Sequence, residues 1–215
     1  HDFNNILTVI SSSAEMLLLD LDPGSALRAD AQSISDASRR GAQLTQQILS
    51  FARRREPHRE PLDLNSVVQN TVAMLRRLMG ANVAVVEQLD PSAVTILGDR
   101  GEVEQILVNL LLNACDAVGA AGTVTVSTQR LLDESIAMLV SDDGVGMPED
   151  VQAKIFEAFF TTKPPGKGTG LGLATVRALV GSHGGTIGVT SRVGEGTTFE
   201  IVFPATAITE PLEML

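Results

Sequence analysis

Along residues 1–56 the apolar side chains return every three or four positions and show no alternation, which restricts this stretch to helix. Phe3, Ile6, Ile10, Ala14, Leu17 and Leu21 mark one face. The Pro23-Gly24 pair inside Leu21–Ser25 predicts a turn. Leu27, Ala31, Ile34, Ala37, Gly41, Leu44, Ile48 and Phe51 then mark a second face, close to a heptad with a and d filled. Two antiparallel helices cannot bury both seams alone. A homodimer completing a four-helix bundle covers them; the alternative is packing on the rest of the chain.

Arg53-Arg54-Arg55-Glu56-Pro57-His58-Arg59-Glu60-Pro61 is charged and twice interrupted by proline, so the helical hairpin is expected to end at residue 56, with a linker over 57–62. From residue 63 to 205 the texture becomes mixed α and β, and 206–215 reads as a tail. Asp63 or Asn65 is placed to cap a helix running to Leu78, and Asp99 to cap a strong helix over Val103–Ala117. Strands are predicted at 83–88, 94–97, 123–129, 136–141, 186–191 and 197–203, and helices at 149–160 and 174–182. The expected fold class is α+β: a helical hairpin, then helices on one face of a largely antiparallel sheet.

Composition narrows the function. Seven Phe with no Trp or Tyr offer little base stacking, and a net charge of -10 gives no basic face, so nucleic acid is excluded as a partner. The single Cys115 forms no internal disulfide, which fits a reducing compartment, and no apolar run is long enough to span a bilayer. A cytoplasmic piece of a longer protein, without membrane contact of its own, is expected.

The chemistry gathers in three places. Gly168-Thr169-Gly170-Leu171-Gly172-Leu173 runs into an apparent helix, so clustered glycines and the first helical amides can crowd a phosphate. Asn109 and Asn113 stand four apart on one face of an otherwise apolar helix. Their amides either bond loop backbone or present oxygen to Mg²⁺, which takes hard ligands and keeps phosphate oxygens in its shell. Asp142 ends an apolar strand before Gly144 and Gly146; it is either a turn residue or an acceptor for an exocyclic amine, which separates adenine from guanine.

Taken together these segments resemble the sensor histidine kinases of two-component signalling, whose ATP-binding domain has the GHKL or Bergerat fold. Asn109-Leu110-Leu111-Leu112-Asn113-Ala114 is similar to that family's N box and Asp142-Asp143-Gly144-Val145-Gly146-Met147-Pro148 to its G1 box. Phe156-Glu157-Ala158-Phe159-Phe160-Thr161-Thr162-Lys163 resembles the F box and Gly166-Lys167-Gly168-Thr169-Gly170-Leu171-Gly172-Leu173 the G2 box. Gly194-Glu195-Gly196-Thr197-Thr198-Phe199 resembles G3, and His1-Asp2-Phe3-Asn4-Asn5 the phosphoacceptor H box. The likeness runs from His1 to about Pro204 and keeps the family's order.

The resemblance implies a kinase using ATP and Mg²⁺, working as a homodimer, with a response-regulator receiver domain as partner. It makes His1 the phosphoacceptor, Asp2 the group fixing its tautomer, and Asn5 a residue able to orient water for dephosphorylating a partner. It puts Mg²⁺ on Asn113 with Asn109, and the adenine amine on Asp142 beside Gly144 and Gly146. Gly168, Thr169, Gly170, Leu171 and Gly172 would wrap the phosphates, with Lys163 or Lys167 at the γ-phosphate, Thr198 of the G3 segment also lining the nucleotide, and Met147–Lys167 as a mobile lid. Three positions depart from the pattern or separate branches of it. Ile6 stands where many relatives have Pro, and Asp116, counted among the nucleotide-binding positions, where a basic residue is frequent. Asn109 stands where the hydrolytic GHKL ATPases are expected to carry Glu, which argues against the two alternatives of a hydrolysing ATPase and, with complete glycine boxes, an ATP-independent phosphotransfer scaffold. His58 and His183 read as linker and turn residues.

Overall fold

The structure, a computed structural model, describes residues 2–22, 24–25, 27–35, 37–38, 58–76, 83–93, 95–119, 121–164 and 168–205. The chain divides into two compact units, residues 1–55 with 161–169, and residues 56–160 with 170–215.

In the first unit α1 runs over Asp2–Asp20 and residues 27–35 form α2. The turn between them closes as the Pro-Gly pair predicts, with Ser25 N–H donating to the Asp22 carbonyl at 2.9 Å. Arg28 donates to the Leu18 and Leu21 carbonyls at 2.7 and 2.9 Å. Those oxygens end α1 and have no helical donor, and a cation there also faces the negative pole of the helix. Ala14 and Ala31 are buried, whereas the seam residues Ile10, Leu17, Leu27 and Ile34 are 40–62% exposed. The seam residues from Gly41 onward lie outside the described residues.

The second unit opens with β1 (Glu60–Asp63), α3 (Leu64–Arg76), β2 (Val83–Leu89) and β3 (Thr95–Gly98). It continues with α4 (Arg100–Val118), β4 (Gly122–Arg130), β5 (Ile136–Asp142), the single-turn α5 (Glu149–Gln152), α6 (Gly172–Ser182), β6 (Thr186–Arg192) and β7 (Gly196–Phe203). Five strands form one sheet in the order β2-β4-β5-β7-β6, and β1 pairs with β3 in a separate antiparallel ribbon. Alternate residues Val124 and Val126, Met138 and Val140, and Phe199, Ile201 and Phe203 are buried, the period of two that a sheet with one covered face requires. They share one core with Ile106, Leu107, Leu110 and Leu111 of α4 and Val176 and Val180 of α6.

The sheet is largely antiparallel as expected, and β2 runs parallel to β4; β3 and α4 lie between them in sequence, and a crossover of that length returns the chain in the same direction. Two expectations are corrected. Glu60, Pro61 and Leu62, assigned to the linker, are strand residues held by β3. Of the helix expected over 149–160 only the first turn forms. Phe159 adopts a left-handed φ of 69° and donates its N–H to the Gly170 carbonyl at 2.8 Å, so helical bonding cannot continue to it.

His183 is also more than a turn residue. Its side chain is fully buried, Nδ1 lies 2.8 Å from the Leu179 carbonyl, and Nε2 accepts the Asp99 N–H at 3.2 Å. One ring nitrogen must donate and the other accept, so the ring is neutral with its proton on Nδ1. It ties the C-terminus of α6 to the start of α4, where Asp99 accepts the Glu102 N–H at 3.1 Å. His183→Phe keeps the ring and strands the Asp99 N–H, while the Leu179 carbonyl keeps the residue-183 backbone N–H and the Ser182 hydroxyl; we expect a loss of about 1–3 kcal/mol, read as a lower urea midpoint.

Candidate functional site

Helix α4 supplies one wall of the site. Its apolar face is spent on the core, and the half-buried Asn109 and Asn113 rise one above the other beside it. Asn109 Nδ2 donates to the Gln105 carbonyl at 3.0 Å. With the nitrogen turned into its own helix, the amide oxygen faces α6: a Cβ on Gly172, the first residue of that helix, would lie 3.3 Å from Asn109 Oδ1. Leu171, the N-cap of α6, has no side-chain acceptor for the first-turn N–H groups, so a hard oxygen ligand and a helix N-terminus share one space.

Strand β5 supplies the second wall. Asp142 is its last residue, half-buried on the helix-facing side with Met138 and Val140. Its Oδ1 accepts the Gly144 N–H at 3.0 Å, and the Thr197 backbone N–H also bonds the carboxylate. The next turn rests on the end of α4, where Val145 N–H donates to the Ala117 carbonyl at 3.2 Å. A Cβ on Gly144 would come 2.5 Å from the Ala117 carbonyl carbon and oxygen, so only glycine allows this approach.

Burial holds the Asp142 carboxyl above its ordinary value, against the pull of the Gly144 and Thr197 N–H groups, and the neighbouring Asp143 charge adds to the rise. Burial likewise pushes the Cys115 thiol up, with Asp116 and Asp142 contributing. A carboxyl raised on folding favours the native state only while protonated, so its contribution is present at acid pH and lost as pH rises through the native value. Asp142→Asn without nucleotide is therefore expected to be more stable than the wild type at neutral pH. Urea unfolding should show that advantage shrinking as pH falls into the carboxylate range.

The remaining predicted residues divide. Gly170, Leu171 and Gly172 stand in the same unit as Asn109, Asn113 and Asp142, whereas Lys163, Gly168 and Thr169 belong to the other unit. There a Cβ on Gly168 would meet Thr161 Oγ1 at 2.3 Å, and Thr161 Oγ1 also accepts the Lys163 N–H at 3.1 Å. Asp116 is exposed on α4, one turn beyond Asn113. His1 and Lys167 lie outside the described residues, and Asp2 and Asn5 are described only as backbone of α1.

Thr198 points away from the Asp142 wall. Its hydroxyl donates to Ser141 Oγ at 2.9 Å, on the sheet face away from the helices. Its neighbour Thr197 pairs with Asp142, is 5% exposed, and reaches Ser191 Oγ with its own hydroxyl at 2.9 Å. Adjacent strand residues point to opposite faces, so the two threonines cannot both line the site. Counting by twos back from the apolar Phe199 would have selected Thr197.

Comparison with known proteins agrees with this geometry. The family described as histidine kinase-, DNA gyrase B-, and HSP90-like ATPase matches residues 98–207, and the His Kinase A (phospho-acceptor) domain matches residues 1–57. The sensor kinase CckA of Brucella abortus is 38% identical over 95% of this chain and 23% of its own length. The sensory histidine kinase/phosphatase NtrB of Rhodobacter capsulatus is 32% identical over 95% of this chain and 59% of its own. The chain thus spans between about a quarter and three fifths of these relatives. Among solved structures, full-length ShkA in complex with AMPPNP superposes with a TM-score of 0.76 at 28% identity, covering 96% of this chain and 45% of that one. The fold, the two facing walls and the order of the two matched domains converge: the chain belongs to the histidine kinase-, DNA gyrase B- and HSP90-like ATPases and, within them, to the sensor histidine kinases of two-component signalling.

Proposed function

We propose that this chain is the core of a sensor histidine kinase that binds Mg-ATP, transfers the γ-phosphoryl group to His1, and passes it to an aspartate of a receiver domain. The observation that carries the reading is the pairing of a half-buried, desolvated Asp142 with an Asn109 oxygen turned toward the start of α6. The first accepts an adenine amine, and the second lies where phosphates meet helix N–H groups. The AMPPNP bound by ShkA, a structural relative, supports the same ligand class.

In this reading Asp142 orients the base, Gly144 and Gly146 let the backbone close against it, and the amides of Gly170–Gly172 hold the phosphate oxygens. Asn109 and Asn113 present amide oxygens that fit Mg²⁺, which when bound neutralises charge on the transferring phosphoryl group. His1 attacks as neutral imidazole, and Asp2 holds the far ring nitrogen and offsets the cation that forms. Residues 1–56 serve as phosphoacceptor and dimerisation hairpin, and 60–205 as the catalytic domain. The joining segment shortens to 57–59 because Glu60 opens β1, and 206–215 remains a tail.

The exposed Ile10, Leu17, Leu27 and Ile34 support a homodimer, since a contiguous apolar seam on a hairpin calls for a second copy. Among the described residues no helix is long and apolar enough to cross a membrane, and dependence on ATP puts this core in the cytoplasm.

Thermal unfolding with and without Mg-ADP tests the nucleotide site. A ligand at a hundred times its Kd adds about 2.7 kcal/mol to stability, several degrees in Tm. Asp142→Asn, more stable alone, should lose at least about tenfold in nucleotide affinity through its weakened acceptor. An unshifted wild-type Tm at millimolar Mg-ADP would remove ATP from this reading.

A further inference from the structure

The glycine turn that follows Asp142 is held from behind by two side chains with no place in the nucleotide reading. Gln152, on α5, donates through Nε2 to two carbonyl oxygens, those of Met147 at 2.8 Å and Ser191 at 3.0 Å. Both amide hydrogens are used, and each bonds a different segment. Ser191, near the end of β6, accepts the Met147 N–H at Oγ over 2.8 Å. The same hydroxyl donates to the Gly196 carbonyl at 3.0 Å and lies 2.9 Å from Thr197 Oγ1. Thr197 is the residue paired with Asp142, and its N–H bonds that carboxylate. The chain of contacts from Gln152 to Asp142 is therefore continuous. The turn also meets the β6–β7 hairpin through backbone, with the Gly194 N–H donating to the Val145 carbonyl at 2.8 Å.

We propose that Gln152 and Ser191 are positioning residues that set the affinity for adenine nucleotide, by clamping the Met147 end of the glycine turn and, through Thr197, the Asp142 carboxylate. This rests on the reading of Asp142 as the acceptor for the adenine amine. A carboxylate selects that amine only if held within a few tenths of an ångström, and a side chain at a strand end has no further ladder to hold it.

The test is equilibrium binding of ADP with Mg²⁺ to the whole chain, in the wild type, Gln152→Met, Ser191→Ala, Ser191→Thr and the double variant Gln152→Met/Ser191→Ala. Gln152→Met keeps the length and removes the donors. Each of Gln152→Met and Ser191→Ala is expected to raise the ADP Kd about tenfold, with urea midpoints close to the wild type. Ser191→Thr, which keeps the hydroxyl, should restore affinity, and the double variant should bind little worse than the weaker single one, because both act through one clamp. Inosine diphosphate, which lacks the amine, should lose far less than ADP in the same variants. Wild-type ADP affinity in Gln152→Met, or parallel losses for ADP and inosine diphosphate, would overturn the proposal while leaving the nucleotide site standing. A wild type that binds neither ligand would instead overturn the nucleotide reading itself.

Discussion

Gly146→Ala is expected to cost about 3–5 kcal/mol in urea unfolding and to remove measurable nucleotide binding. Gly146 has a φ of 64°, in the left-handed region where a Cβ is already unfavourable. That Cβ would also lie 1.9 Å from the Arg192 carbonyl oxygen and 2.6 Å from its carbon. The oxygen cannot yield cheaply, because Arg192 is paired with Gly196 at the end of β6 and the Gly194 N–H is bonded to Val145 across the same gap. The turn must therefore lift, which breaks the Gly144 N–H contact to Asp142 and opens the seat on Ala117. Gly188→Ala is the matched control. It lies on β6, its Cβ would meet nothing within 4 Å, and the change should stay within about 0.5 kcal/mol. Equal destabilisation by the two substitutions would show that the glycine turn is not under this constraint.

His1→Gln is expected to reduce acid-labile phosphate incorporation from γ-labelled ATP to below about one per cent of wild type, with the Mg-ADP affinity unchanged. Glutamine keeps polarity and similar reach but has no nucleophilic ring nitrogen. The combination matters more than the loss. A variant that binds nucleotide normally and takes no label identifies the acceptor, whereas one that loses both has lost the fold. Undiminished labelling would move the acceptor to another residue and leave the catalytic domain's reading intact.

Much of the second unit was legible because its signals are local. Asp99 before an apolar run is a capping signal in any context, and it does accept the Glu102 N–H. The apolar alternation of β4, β5 and β7 marks strands without knowledge of their neighbours. What escaped depended on distant partners. Pro61 and Leu62 become strand only because β3 arrives antiparallel beside them. Residues 153–159 carry a helical pattern that is overridden where Phe159 bonds Gly170. The resemblance names Thr198 as lining the nucleotide, whereas the sheet points its hydroxyl at Ser141, away from the helix face.

Residue type and spacing by themselves determined which groups do chemistry: two amides one helical turn apart, an acid before paired glycines, and a glycine-rich start to a helix. These follow from periods of 3.6 and 2, which every helix and strand obeys. Only the tertiary structure decided how Asp142 is desolvated, where the Asn109 oxygen points, that His183 is a buried link, and that Gln152 and Ser191 stand behind the glycine turn. Burial and hydrogen-bond partners come from residues far apart in the chain, 84 positions for Asp99 and His183 and 123 for Arg59 and Ser182, and no local pattern in a chain encodes which of its distant segments will meet.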